Sequence, residues 1–184
     1  MDAKILVSLA QGHTDYPTTV ELKPFRHILI MWPKHLIWSF FFRPSPPADE
    51  KIRFSEKVAR VVPNIMQQGW SFILITPCSW SSLINHVPER ERHIIALAYN
   101  SRNIEWVERS DIAILLGVYA HGGLKHDTLD CEVTDWAVLE KCRCCDPLVV
   151  PGNNVRAVNG GLLESDVFGC SARHPDVLEL ILLH

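Results

Sequence analysis

Apolar and polar positions along this chain alternate between two periods, and the alternation predicts strands and helices taken in turn. Lys4 to Leu9, His27 to Trp32 and Leu36 to Phe42 are short β-like apolar runs. The prolines of Arg43 to Glu50 stop the third run, because proline supplies no ladder donor. From Phe54 the apolar residues fall at 54, 58, 61, 62, 65 and 66, one face of a helix that Pro63 bends and Gly69 ends. Trp70 to Ile75 then reads as a strand stopped by Pro77, and Pro88 opens a helix over Glu89 to Tyr99 with Glu89 and Glu91 at its positive end.

The stretch from Ile104 to Val150 reads as a further strand, helix and strand. Ser110 to Gly117 is an apolar run ending in glycine and is expected to be a buried strand. A loop from Val118 to Cys131 follows, then helical spacing from Glu132 to Lys141 and a strand over Pro147 to Val150. Val155 to Val158 is a candidate edge strand, and Val177 to Leu183 fits a helix or a strand. Strands and helices in this order predict a single three-layer α/β domain with a mostly parallel, Rossmann-like sheet over residues 36–184. Residues 1–35 are expected to be an N-terminal extension packed on that domain.

Composition narrows the partners. A 184-residue chain with 47% hydrophobic residues is long enough for one buried core. Its net charge of -3 offers no long-range pull on a nucleic-acid polymer, and Arg90, Arg92, Arg102 and Arg109 are interleaved with glutamates as on a solvated face. No apolar run reaches the roughly eighteen residues of a membrane span, and the first ten residues make a poor signal peptide. A cytoplasmic protein with reduced thiols is therefore expected, and a homo-oligomer is compatible with its tryptophan-rich composition.

The order of pieces resembles the nucleoside 2-deoxyribosyltransferase-like superfamily, which includes small nucleotide N-glycosidases. The resemblance covers about residues 36–150. It is carried by the proline-rich loop Phe40 to Pro47, by Gly69-Trp70 running through apolar residues to Pro77, by Asp111 to Leu116, by Glu132 and by Pro147 to Val150. It implies hydrolysis or transfer at the N-glycosidic bond of a nucleoside or nucleotide, with no redox cofactor. Glu132 is then the nucleophile, stabilised as an anion by helix-terminal amides, with Asp130 and His126 orienting or moving protons. Ser45, Asn103, Asp111, Gly117 and Asp127 are the candidate substrate-binding residues. Asn103 stands where the family has an aspartate, and Leu129 to Cys131 replace its Gly-Thr. Those departures favour the alternative of a non-catalytic nucleotide-sensing or protein-interaction domain. A separate expectation is a structural zinc held by Cys142, Cys145, Cys170 and His174, whose count and softness suit a closed tetrahedral site.

Overall fold

The centre of the fold is Leu36-Ile37-Trp38, three consecutive side chains with no solvent exposure. Side chains alternate across a strand, so Leu36 and Trp38 enter one core and Ile37 the other. Such a strand requires cover on both faces. A computed structural model, which describes residues 31–41, 46–126, 135–144, 146–150 and 167–183, shows how that cover is built.

The described elements are β1 (His35–Ser39), α1 (Ala48–Gln67), β2 (Ser71–Ile75), α2 (Trp80–Leu83), α3 (Glu89–Tyr99), α4 (Trp106–His121), β3 (Gly123–His126), α5 (Trp136–Cys142), β4 (Leu148–Val150), β5 (Val167–Cys170) and α6 (Pro175–Leu183). Together they form one mixed α/β domain. The five strands make an open sheet in the order β2-β1-β3-β5-β4. β1 pairs in parallel with β2 and β3, whereas β5 is antiparallel to both β3 and β4. The expectation of a mostly parallel sheet is thus corrected to a mixed one, because β5 returns against its neighbours.

Two cores flank the sheet. On one face Leu36, Trp38 and Leu124 pack with Ile65 of α1, with Trp32 and Trp70, and with Trp136 and Leu139 of α5. On the other, Ile37, Ile75, Phe168 and Cys170 pack with α2, α3, α4 and α6. The stripe Phe54, Val58, Val61 and Ile65 turns α1 toward the sheet, as its spacing predicts, while Met66 stays exposed. Gly69, at φ 75°, lets the chain reverse into β2.

The main departure from the sequence pattern is Ser110 to Gly117, which lies inside helix α4 rather than in a strand. Glu105 and Glu108 cap that helix reciprocally, and seven of its residues from Ile112 to Tyr119 are buried. Gly117, expected at a strand end facing substrate, instead lets α4 lie close on the sheet. A Cβ there would sit 2.8 Å from Cδ1 of Ile75. The strand that follows is β3, which falls in a segment expected to be loop. Val177 to Leu183 is helical, and the helix over residues 89–99 falls where its pattern places it. The runs at 4–9, 27–30 and 155–158 lie outside the described residues.

Gly122 and Gly123 join α4 to β3 at φ 65° and 115°, and a Cβ on Gly123 would be 2.4 Å from the carbonyl oxygen of His35. Backbone cannot yield as a side-chain tip can. Gly123→Ala is therefore expected to cost about 3 kcal/mol or more in urea unfolding. Gly117→Ala is expected to cost less, about 1–3 kcal/mol, since buried Ile75 must shift although alanine favours helix.

Candidate functional site

β1, β2 and β3 run the same way, so their carboxyl ends share one edge of the sheet. Ser39 ends β1, and its hydroxyl accepts a 3.0 Å hydrogen bond from Ser110 of α4, far away in sequence. After β2, Thr76 and Ser79 cap each other, the Thr76 amide donating to Ser79 Oγ over 3.1 Å. The register pairing Leu36 with Leu124 and Ile37 with Lys125 carries His126 to the level of Trp38, one residue short of Ser39. This edge therefore gathers several hydroxyls, the acidic first half of α4 and the end of β3.

Behind the hydroxyls stands an aromatic wall. Trp80 and Tyr99 stack with ring centroids 3.6 Å apart at an interplanar angle of 7°. Burial pushes the Tyr99 phenol up, and the Arg109 guanidinium opposes that rise only in part. Arg109 donates through Nη2 to the Ser101 carbonyl over 2.9 Å, while its buried Nε makes no hydrogen bond. Phe40 and Phe54 pack with centroids 4.4 Å apart and fasten the end of β1 to α1.

Of the residues expected to bind substrate, Asp111 follows Ser110 in α4, and Asn103 is exposed in the turn that leads into that helix. Both belong to the carboxyl side of the sheet. Gly117 does not, because its place against Ile75 is structural. His126 ends β3. Ser45, Asp127, Asp130 and Glu132 lie outside the described residues. The Ser39–Ser110 contact had no sequence signal: neither serine stands in a motif, and only the fold brings them together.

The zinc expectation is overturned. Among the described residues no group of three or more histidines, cysteines, aspartates or glutamates can hold a metal ion. Cys145 lies outside the described residues, and Cys142 and Cys170 are kept apart for a physical reason. Cys170 points into the core beneath α4 and α6, whereas the apolar side chains of α5, the helix that Cys142 ends, pack on the opposite face. Burial, with Asp146 and Asp176 adding to it, pushes the Cys170 thiol up to about 12. His174 is engaged instead with Asp146 at 3.7 Å and Asp176 at 3.9 Å.

A separate cluster ties the chain entering β1 to the end of α5. Arg143 donates to the Trp32 carbonyl through Nε at 3.0 Å and Nη2 at 2.6 Å, and to Glu140 through Nη1 at 2.9 Å. Its guanidinium lies over the Trp32 and Trp70 rings. Burial works to raise the Glu140 carboxyl, but Lys34 and Arg143 outweigh it and hold the group below its usual range. This cluster is structural and belongs to the other edge of the sheet. No described helix is long and apolar enough to cross a membrane.

Compared with models of protein families, with curated proteins and with solved structures, the chain matches none.

Thiol labelling checks the cysteine assignments. At pH 8 a thiol of about 12 is ionised in roughly one molecule in ten thousand. Cys170 should resist a disulfide reagent in the folded protein while exposed Cys78 reacts, and mass spectrometry of labelled peptides will show the order.

Proposed function

We propose that this domain binds a nucleoside or nucleotide at the carboxyl ends of β1 and β3 and hydrolyses or transfers its N-glycosidic bond. The observation that carries the reading is strand order. β1 lies between β2 and β3, the chain leaves β1 for one side of the sheet, and it later arrives at β3 on the other. In open α/β sheets a crevice forms where neighbouring strands diverge in this way, outside their carboxyl ends. We read β2-β1-β3 as the Rossmann-like half of the sheet. In the chain, the segment holding Ser45 follows β1, and the segment holding Asp127, Asp130 and Glu132 follows β3.

The chemistry follows from those residue types. Departure of a base builds positive charge on the sugar, which a carboxylate such as Glu132 stabilises or captures as a glycosyl ester. A proton from His126 or Asp130 assists the leaving base, and water or an acceptor hydroxyl then releases the sugar. Ser39, Ser110 and Asp111 offer polar groups beside the crevice for sugar hydroxyls. The resemblance to the nucleoside 2-deoxyribosyltransferase-like superfamily supports the same chemistry through its proline-rich loop and the β2 segment.

One observation favours a second reading, a nucleotide-sensing or protein-interaction domain without catalysis. Residues 111–116, which the resemblance treats as a strand, belong to a helix. A shifted Asp111 is compatible with binding and removes one of the family's reference points for chemistry.

The test is chromatography of free base after incubating wild type and Glu132→Ala with nucleosides and their monophosphates. We expect base from the wild type and a loss of about a hundredfold or more in the variant. Absence of base, with a nucleotide-dependent rise in melting temperature, would select the second reading. Neither effect from folded protein would overturn both.

A further inference from the structure

Three histidines meet at the amino edge of the sheet, opposite the candidate crevice. His121 lies in the last turn of α4, His35 opens β1, and His86 sits in the short 3-10 turn Ile84–His86 between α2 and α3. The His86 and His121 rings have centroids 5.8 Å apart. His35 Nδ1 is buried and makes no hydrogen bond. None of the three histidines is within ion-pair distance of a carboxylate among the described residues, where the histidine ion pairs are those of His174.

Three chain segments are packed tightly at this point. A Cβ on Gly122 would lie 2.6 Å from the Ala172 amide nitrogen and 3.0 Å from the Pro33 ring, and Gly123 presses on His35 in the same way. The Arg173 amide donates to the Tyr119 carbonyl over 2.7 Å, which ties the turn before α6 to the end of α4.

The other charged groups near the cluster do little to compensate for protonation. Lys34, beside His35, is paired with Glu140. Arg92 of α3 donates to the Asn85 and Val87 carbonyls on either side of His86 and adds a further cation there. Asp146 and Asp176 are engaged with His174, and Arg173 brings another cation to the turn before α6. Burial first, then His86 and His35, hold His121 below the ordinary histidine value of 6.5, and burial does the same for His35. The packed state therefore favours the neutral imidazoles of His35 and His121.

We propose that His35 and His121, with His86 packed against His121, form a proton-operated latch, closed while the His35 and His121 imidazoles are neutral and opening the α4–β3 junction when they take up protons. The sign follows from linkage. The closed form binds fewer protons than the open one, so its stability is fully present above the ordinary histidine value and is lost as pH falls below it. Opening separates Gly123 from His35, which loosens the amino end of the β1–β3 pair.

Hydrogen exchange of the whole protein at pH 7.5 and 5.5, read as protection factors so that intrinsic rates cancel, tests the latch. Peptides covering residues 119–126 should lose about tenfold in protection at the lower pH, while those of α1 keep theirs. His86 is exposed, so His86→Gln is expected to fold, and it should shrink that loss; His121→Gln should remove most of it. Three outcomes would overturn the proposal: unchanged protection at 119–126, an equal loss in α1, or a loss in His86→Gln as large as in the wild type.

Discussion

A strand buried on both faces and paired on both edges imposes its geometry on everything around it, and β1 is that strand. Its register with β2 runs through five paired positions, and its register with β3 fixes how far His126 stands from its carboxyl end. Its amino end is held by Trp32, whose carbonyl receives two bonds from Arg143. Because Leu36, Ile37 and Trp38 have no solvent exposure, slipping by one residue would exchange the two cores. The level of Ser39 at the candidate crevice is therefore set by packing well removed from it.

The antiparallel return of β5 divides the chemistry of the two edges. β2, β1, β3 and β4 present carboxyl ends on the crevice side, where hydroxyls and the first half of α4 collect, and β5 alone runs the other way. β5 ends beside Gly123, so Cys170 emerges on the edge that also carries His35 and His121. What keeps Cys142 from Cys170 is the sheet itself, with Cys170 in the aliphatic core and Cys142 ending the helix on the other face.

Amphipathic elements were legible where one face meets solvent. The stripe of α1, the proline-bounded β2 and the proline-opened α3 all declare themselves by period and punctuation. β1 was legible as an apolar run, although it begins at His35 and ends by Ser39. Helix α4 was not, for a physical reason: its second half, from Ile112 to Tyr119, is buried almost throughout and has no polar face to mark its turn, so Ile112 to Leu116 reads equally as a buried strand. Length decides such cases, and no proline or glycine interrupts Trp106 to Leu116. β3 was hidden by Gly122 and Gly123 at its start and by Lys125, a buried lysine in a strand whose pattern does not look apolar. In the candidate site, Asp111, Asn103 and His126 reach the carboxyl side of the sheet, yet the serine pair beside them depends on tertiary contact and leaves no local trace.

The two cores differ in the kind of side chain they contain. Trp32, Trp38, Trp70 and Trp136, four of the chain's six tryptophans, lie on the α1–α5 face, with Trp70 and Trp136 rings 5.4 Å apart. The opposite core is mainly aliphatic, and its Trp80 is stacked on Tyr99 at the margin. Intrinsic fluorescence therefore weights one layer of the molecule: a change in emission is chiefly a change on the α1–α5 side, and loosening confined to the aliphatic layer would pass with little optical signal.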